Sequence, residues 1–307
     1  MDVLSDAMNA MRTGRPSANL ADRRGTWDWH FDAFHGAGFH VVVEGSCRLM
    51  PPDGPSVPLT AGDVVLTPHG TAHGLAGADD PAGPPTRLLC GSYRLDRSLV
   101  HPLLADLPEV IHLPTRLGRY AHHGALRSAV ELLGGEVRPD RPQPGAGAAL
   151  PNLLDLLLIY GLRAWFEEEA ARGAQAGWCG ALLDPAVGAA LRAMHEDPAR
   201  PWTVAELGAR AGLSRAAFSR RFSALVGRPP LAYLTWWRLA RAARLLRDTD
   251  APLATVAQQV GYASPFAFGN AFKREQGVSA GRYRRRHRAE RQAGTGRSTD
   301  AGAVDVP

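Results

Sequence analysis

The sequence predicts a multidomain protein in which an N-terminal all-β region, a helical linker and a C-terminal all-α region follow one another. Residues 27–100 contain short β-branched or aromatic runs separated by Gly, Pro and Asp, which is typical of a sandwich or barrel. A Pro/Gly-rich stretch interrupts the chain at 138–148. From 184 to 287 apolar residues recur at helical spacing. The predicted boundaries are 1–115 for the β-domain, 116–180 for the linker, 181–288 for the helical domain and 289–307 for a disordered tail.

The bulk composition favours a cytoplasmic protein with two cores. The chain has 307 residues, of which 45% are hydrophobic, so it can fill more than one domain. We find no apolar run of about 18 residues and no basic-then-apolar N-terminus, and therefore predict neither a spanning helix nor a secretory signal. The three cysteines, Cys47, Cys90 and Cys179, have no metal-binding spacing and are interpreted as isolated thiols.

Charge is segregated along the chain. Residues 182–288 contain 18 basic and 7 acidic residues, a net charge of +11, whereas the remainder contains 17 basic and 23 acidic residues, a net charge of −6. A basic block joined to an acidic body indicates that the C-terminal region meets a polyanion. Because 34 of the 35 basic residues are arginine, codon usage can explain the preference for arginine, but it does not explain the segregation.

The linker is predicted to contain a helix over residues 150–171, with Pro151 in its first turn. Its apolar surface is broader than one side of a lone helix needs. Two explanations remain open: the helix packs on the β-domain, or it forms a helix-to-helix dimer seam.

An internal repeat organises the C-terminal region. Residues 203–227 align with 252–277 at a spacing of 49 before the turn and 50 after it, so that Phe218 matches Phe268 and Phe222 matches Phe272. Each copy contains a helix, a glycine turn, an N-cap serine, a second helix and a glycine stop. This order predicts two helix-turn-helix units.

A helical wheel separates two faces on each second helix. In the first copy Phe218, Phe222 and Leu225 form the predicted buried stripe. The outward positions are Ala216, Ser219, Arg220 and Ser223 in the first copy, and Phe266, Gly269, Asn270 and Lys273 in the second.

Such a face suits a helix in the DNA major groove. Small residues allow close approach, Arg220 can pair with guanine, Asn270 with adenine, and Phe266 can touch a thymine methyl. The residues placed for phosphate contacts are Arg215, Lys273, Arg274, Arg284, Arg285 and Arg286. For any single residue the alternative is a solvated surface position, but two copies of the same face favour DNA binding.

Between the copies, residues 229–249 are predicted to form a long connecting helix in which Trp236 and Trp237 pack rather than stack on bases. A rigid connection would place the two outward faces in successive turns of one groove, about 34 Å apart.

These residues resemble the DNA-binding domain of the AraC/XylS transcriptional regulators. The resemblance covers residues 184–287 and rests on "RLARAARLL" and on "VGYASPFAFGNAFKREQGVSAGRYRR". Ala280 stands where the family usually has proline, and Pro265-Phe266 replaces a commonly polar pair. The resemblance implies sequence-specific binding to double-stranded promoter DNA, a small-molecule effector, RNA polymerase as a partner, a homodimer and no membrane association.

The N-terminal region resembles the cupin barrel, a double-stranded β-helix, through "FHVVVEG" and "GDVVLTPHGTAH". Strand alternation places His40 and Glu44 on one face. In metal-binding cupins the matching positions bind a divalent cation, so His40, Glu44 and His73 are the candidates for either an effector site or a metal site holding Fe(II), Zn(II) or Mn(II). Gly38 stands at the first histidine position and Gly77 replaces a common asparagine. The histidines that could substitute for a missing ligand are His30, His35 and His69.

We therefore expect a transcription factor without enzymatic activity, whose β-domain senses a small molecule. The alternative is a cupin metalloenzyme with a basic nucleic-acid-binding appendage. Stoichiometric metal would distinguish them, because only the enzyme requires it.

Overall fold

The chain divides into two units, each assembled from segments that are distant in sequence. The computed structural model describes residues 2–11, 16–77, 84–95, 101–114, 124–137, 143–173 and 176–295. Among these, the barrel unit comprises the residues within 12–97 and 107–172, and the helical unit comprises those within 1–11, 98–106 and 173–295. Within the predicted β-domain over 1–115, residues 1–11 and 98–106 belong to the helical unit, whereas residues 107–114 belong to the barrel unit.

The barrel unit consists of two antiparallel sheets. Its strands are β1 (Ser17–Arg23), β2 (Asp28–Phe31), β3 (Gly36–Glu44), β4 (Ser46–Met50), β5 (Val57–Thr60), β6 (Val64–Thr67), β7 (His73–Gly77), β8 (Thr86–Arg94) and β9 (Ile111–Leu113). The sheet orders are β1-β8-β3-β6-β9 and β2-β7-β4-β5. This arrangement confirms the prediction of an all-β, cupin-like domain.

The barrel core lies between the two sheets. Trp29 and Leu75 from one sheet pack with Val42 and Leu88 from the other, because alternate side chains of each strand point to the same face. Cys47 belongs to this core, and burial raises the pKa of its thiol to about 12. The three cysteines are buried.

Two helices of the predicted linker pack within the barrel unit. They are α3 (Gly124–Glu136) and α4 (Ala146–Ala171). The Tyr93 hydroxyl on β8 donates to the Leu154 carbonyl of α4, and a Cβ atom at Gly161 would lie 3.0 Å from Leu66 on β6. Of the two explanations for the broad apolar surface, packing on the β-domain is therefore observed.

The helix α4 begins four residues earlier than predicted, with Gly145 as its N-cap. By length and composition it is the one helix among the described residues that could cross a membrane. Its buried residues, such as Leu157 and Leu162, instead fill the core of the barrel unit, as in a core helix of comparable composition.

The helical unit contains both predicted helix-turn-helix motifs. Its helices are α1 (Val3–Met11), α2 (Pro102–Ala105), α5 (Gly177–Leu183), α6 (Pro185–Glu196), α7 (Val204–Arg210), α8 (Arg215–Val226), α9 (Pro230–Asp248), α10 (Leu253–Gln259), α11 (Pro265–Gln276) and α12 (Ala280–Thr295). The pairs α7–α8 and α10–α11 are the two motifs, and α9 is the connecting helix. Because α12 continues to Thr295, the tail predicted to be disordered is helical up to that residue. Residues 296–307 lie outside the described part.

A chain of buried polar side chains crosses the helical unit; we call it the polar chain and define it as Asp6, His195, Tyr233 and His101. Asp6 Oδ2 lies 3.0 Å from His195 Nδ1, and His195 Nε2 lies 2.7 Å from the Tyr233 hydroxyl. The same hydroxyl lies 3.3 Å from His101 Nε2. All four residues are buried, so each of these polar groups needs its partner.

The polar chain makes stability depend on pH. Burial lowers the pKa of His101, assisted by His195 and Arg228. Burial also lowers the pKa of His195, further aided by Arg241, although Asp6 and Asp2 act in the opposite direction. An unfolded histidine titrates near pH 6.5, so the unfolded chain binds more protons than the folded chain as the pH falls below that value.

We expect the free energy of unfolding to fall between pH 7.5 and pH 5.5, by up to about 1.4 kcal/mol per pH unit for each such histidine. Thermal denaturation over this pH range measures the slope. The variant His101→Gln should show a shallower slope than the unaltered protein. An unchanged slope in His101→Gln would contradict the assignment.

Candidate nucleic-acid interface and barrel interior

The helix α8 is defined by its caps and anchored by two phenylalanines. The Ser214 hydroxyl accepts a hydrogen bond from the Ala217 amide, and Gly227 ends the helix at a φ of 75°. Phe218 and Phe222 are fully buried, with ring centroids 5.5 Å apart. The predicted anchors are therefore correct.

Leu225, the third residue of the predicted buried stripe, is not part of the core. Val226 is buried, whereas Leu225 is only half-buried. Val226 lies four residues after Phe222 and eight after Phe218, so the three buried side chains follow one face of the helix.

The helix α11 repeats this construction. The Ser264 hydroxyl accepts from the Ala267 amide, and Phe268 and Phe272 are buried with centroids 5.5 Å apart. Tyr233 packs edge-on against Phe222 at 5.9 Å, and Tyr283, 50 residues later, packs edge-on against Phe272 at 5.5 Å. The repeat thus extends into the helix that follows each motif.

The outward faces of α8 and α11 are exposed to a similar extent. Exposed positions are Ala216 and Arg220 on α8, and Phe266, Asn270 and Lys273 on α11. Ser219, Ser223 and Gly269 are half-buried at the margins of these faces. We call the two sets the reading faces. Phe266 is 79% exposed, which is unusual for a large apolar side chain and suits a surface that meets a partner.

Cationic side chains surround the reading faces. Arg215, Arg220, Lys273, Arg274 and Arg285 are exposed, and across the described ranges none of them forms a hydrogen bond or ion pair. Pro265, at the first position of α11, is also exposed. These cations are available to phosphates and base edges.

Arg284 was predicted to contact phosphate, but its guanidinium is engaged within the protein. Its Nη2 donates to the Ala251 carbonyl at 2.5 Å, and its side chain is half-buried. It therefore fastens α12 to the segment before α10. Sequence reasoning also missed Arg221, whose guanidinium pairs with Asp184 at 2.5 Å and joins α8 to the start of α6.

The two motifs are joined through α9, which is fastened to the loop between α6 and α7. Trp236 and Trp237 on α9 are buried, as predicted for packing residues. Arg238 donates from Nε to the Pro198 carbonyl at 2.6 Å and from Nη2 to the Arg200 carbonyl at 2.8 Å. Arg238 was not singled out from the sequence, since an arginine on a polar helix face carries no distinguishing pattern.

The turn of the second motif is in close contact with the loop between α6 and α7. Gly261 has a φ of 82°, and a Cβ atom there would lie 2.6 Å from the Ala199 carbonyl oxygen. The loop over residues 198–200 therefore contacts α9 and the turn between α10 and α11. The connecting helix and the second motif therefore pack on the same loop.

The barrel interior brings together two of the three predicted site residues. His40 Nε2 lies 2.6 Å from His73 Nε2, and both side chains are buried. The Phe31 ring stacks on His73 at 5.0 Å. Burial lowers the pKa of both histidines, which keeps them neutral.

Glu44 does not join this pair, which corrects the prediction from strand alternation. The pairing of β3 with β8 shifts between Val42 and Glu44, and such a bulge reverses the face on which the following side chain lies. The Glu44 side chain is 53% exposed and pairs with Arg87 at 3.1 Å. A three-ligand set of His40, Glu44 and His73 is therefore not formed.

The residues do not fit the predicted metal site. Among the described residues no group of three or more His, Cys, Asp or Glu side chains could hold a metal ion. The two facing nitrogens of His40 and His73 bond to each other. Of the suggested substitutes, His30 and His35 are exposed, and His69 Nε2 lies 2.9 Å from the Leu107 carbonyl oxygen.

Proton positions in the pair can be assigned from its surroundings. His73 Nδ1 lies 2.7 Å from the Thr71 carbonyl, so it donates, and His73 Nε2 must accept from His40 Nε2. His40 Nδ1 is then an acceptor, and neither it nor the buried Thr67 hydroxyl has a hydrogen-bond partner among the residues that the structure describes. Gly38 lies beside this hydroxyl, since a Cβ there would be 2.4 Å from it. The interior thus has unsatisfied polar atoms that a small molecule could bind.

A barrel joined to twin helix-turn-helix motifs with exposed, basic reading faces defines a DNA-binding transcription regulator. Comparison with known proteins agrees: the Cupin family matches residues 2–167 and the Helix-turn-helix domain family matches residues 207–286. The chain belongs to the AraC family of transcription regulators.

Two curated relatives match most of this chain, and a solved structure matches its DNA-binding part. A relative from Streptomyces antibioticus, named as an AraC-like transcription regulator, is 35% identical and covers 93% of this chain and 99% of its own. The RCS-specific activator RclR of Escherichia coli K12 is 34% identical and covers 85% and 90%, respectively. Among solved structures, the DNA-binding domain of AdpA in complex with a target DNA is 37% identical, covers 36% of this chain and 97% of that one, and has a TM-score of 0.34.

Proposed function

We propose that this regulator recognises an asymmetric promoter site of about two helical turns, with α8 and α11 in successive segments of one major groove. The observation that carries the proposal is the pair of matched reading faces on helices that are anchored in the same way. The packing of α9 and the 198–200 loop supports a single separation, which we expect to be about 34 Å. One chain would therefore read both half-sites without two-fold symmetry.

The reading faces and the surrounding cations have different roles in this proposal. Arg220 and Asn270 read base edges, Phe266 contacts a thymine methyl or sugar, and Arg215, Lys273, Arg274 and Arg285 hold phosphates. Base contacts provide discrimination, whereas phosphate contacts provide affinity that depends on salt. Arg284 has no DNA contact in this scheme.

The test is binding of the full-length protein to a duplex selected from random sequence, and to a series with single base changes. We expect Arg220→Ala and Asn270→Ala each to lose about 1–3 kcal/mol of discrimination at a limited set of base pairs. Arg285→Ala should weaken binding to every duplex almost equally and reduce its salt dependence. Arg288, which pairs with Asp250, provides a matched control, since Arg288→Ala should change neither property by a comparable amount. Equal losses on all sequences for Arg220→Ala would contradict its role in base reading.

The barrel is the proposed site of control. A small molecule bound beside His40, His73 and Thr67 would satisfy the free acceptor of His40 and the Thr67 hydroxyl. It can change promoter occupancy only if it binds two arrangements of the chain with different affinity. We expect this effector to be a neutral hydrogen-bond donor, because the histidine that faces it is neutral and accepts.

A screen of small molecules by thermal shift tests the effector site. A stabilising compound should lose its effect in His40→Ala and keep it in Glu44→Gln, because Glu44 is on the outer surface. Equal responses in the two variants would remove His40 from the site.

Further partners follow from family membership and from the surface of the barrel unit. The proposed setting is the cytoplasm, in association with the nucleoid, where the bound regulator would act on RNA polymerase. Leu132 on α3 and Leu156 on α4 are exposed large apolar residues, which supports a homodimer through these helices. Sedimentation of Leu132→Ser at micromolar concentration should show a shift towards monomer, and unchanged sedimentation would place the dimer contact elsewhere.

A further inference from the structure

Two segments that border the barrel unit in sequence, α1 and the 98–106 segment that contains α2, belong to the helical unit. The chain leaves the helical unit after α1, forms the first part of the barrel unit, and returns at His101 and α2. The helix α1 packs on α6 and α9. The chain crosses between the two units four times within residues 1–173, and three of these crossings adjoin α1 or the 98–106 segment that contains α2. A change within the barrel can therefore act on the helical unit through these covalent connections.

Every proton in the polar chain has an assigned direction. His101 Nδ1 accepts from the Leu103 amide at 3.0 Å, so His101 Nε2 carries the proton and donates to the Tyr233 hydroxyl. His195 Nδ1 donates to the Asp6 carboxylate, so His195 Nε2 accepts from Tyr233. Tyr233 thus receives one hydrogen bond from His101, which precedes α2, and is linked through His195 to Asp6 on α1.

Tyr233 connects the polar chain to α8. Its ring packs edge-on against Phe222, the anchor of the first reading helix. Trp178 on α5 adds a second route, because its ring contacts both His101 and Tyr233, and its amide donates to Asp106 Oδ2 at 2.9 Å. The equivalent tyrosine of the second motif, Tyr283, packs against Phe272 and His287 within the C-terminal helices.

We infer that the polar chain couples the state of the barrel to the position of α8, and that Asp6, Tyr233 and His101 are its positioning residues. Displacing α1 or α2 separates buried donors from buried acceptors, which favours two discrete arrangements over a continuous drift. The coupling acts on the half-site read by α8 and leaves the half-site read by α11 unchanged. This inference rests on the proposed function, since it assumes that α8 reads DNA.

Reciprocity supplies a test that needs no effector. If the barrel biases α8, then DNA bound at α8 must bias the barrel by the same factor, typically about 5–150-fold. Hydrogen–deuterium exchange of the full-length protein, with and without a selected operator duplex, should show at least a roughly fivefold change of exchange rate in α1, α2 and the barrel strands. The exchange rate of the α8 amides reports DNA binding independently of the barrel.

The variants separate the polar chain from general packing. Tyr233→Phe keeps the ring against Phe222 but removes the hydroxyl, and should abolish the response of the barrel while α8 still responds. Asp6→Ala should have the same effect, whereas Asp6→Asn retains an acceptor for His195 Nδ1 and should restore the response. The matched control Tyr283→Phe should leave the barrel response intact.

Three outcomes would overturn the coupling. The first is that operator binding does not change the hydrogen–deuterium exchange rate of the barrel strands. The second is that this change is as large in Tyr233→Phe and Asp6→Ala as in the unaltered protein. The third is that Tyr283→Phe loses the change to the same extent as Tyr233→Phe. Failure of the proposed function is distinguishable, because the protein would then select no duplex and α8 would show no protection.

Discussion

Replacing Phe272 by alanine should destabilise the helical unit by about 3–5 kcal/mol, the usual cost of deleting a buried phenylalanine side chain. The Phe272 ring is fully buried and contacts Phe268 and Tyr283, each at 5.5 Å. Its removal leaves a cavity at the point where α11 meets α12. Chemical denaturation, followed by the fluorescence of the buried tryptophans on α9, measures the loss.

Phe266 is the matched control on the same helix. Because its side chain is 79% exposed, Phe266→Ala should change the free energy of unfolding by no more than about 0.5 kcal/mol. The same substitution should reduce specific DNA binding, since Phe266 belongs to the reading face. If Phe266→Ala destabilises the protein as much as Phe272→Ala, the two faces of α11 have been assigned the wrong way round.

The second large effect concerns the two equivalent turn glycines. Gly212 and Gly261 both adopt positive φ, at 67° and 82°. A Cβ atom at Gly212 would meet nothing within 4 Å, whereas a Cβ atom at Gly261 would collide with the backbone of Ala199. Gly212→Ala should cost about 1–2 kcal/mol, the penalty of a left-handed conformation. Gly261→Ala should cost about 2–5 kcal/mol, because the new methyl group also collides with the backbone of Ala199.

Gly261→Ala should also alter DNA recognition in a way that Gly212→Ala does not. If the 198–200 loop moves away, the separation of the reading helices is no longer fixed, and the protein should tolerate changed half-site spacing. Denaturation and binding to spacing variants measure the two effects together. Similar losses of stability in the two glycine variants would contradict the contact between the second turn and the loop.

The helical region could be predicted in detail because its signals are local. N-cap serines, glycine stops and phenylalanines four residues apart identify α8 and α11, and the repeat confirms each assignment twice. Leu225 was assigned to the core in place of Val226, because the wheel was centred on Phe218, whereas the buried face is centred nearer Phe222, with Val226 four residues further on.

The barrel site was predicted only in part, because it depends on pairing between strands. His40 and His73 lie on different strands and were matched through the cupin resemblance. The bulge at β3 turned Glu44 outward, and a single inserted residue of this kind leaves no mark on the alternation of the sequence. The same holds for Arg284, whose carbonyl partner Ala251 lies 33 residues away.

The contribution of α1 and α2 to the helical unit had no sequence signal that we used. Asp6 and His195 are 189 residues apart, and neither residue type is unusual on a helix. Only the fold shows that the barrel segment is inserted between two parts of the helical unit. The predicted boundary at residue 115 therefore does not separate these two segments from the barrel strands.

If two reading helices meet one DNA duplex at a single, fixed separation, affinity must depend on the spacing of the half-sites. The most direct measurement is the affinity of the full-length protein for its selected site after insertion of 5 or 10 base pairs between the half-sites. We predict that both insertions reduce binding to the level of random duplex, a loss of roughly 10³-fold or more at physiological salt. Full recovery of affinity with the 10-base-pair insertion, which restores the helical phase but not the distance, would contradict the account.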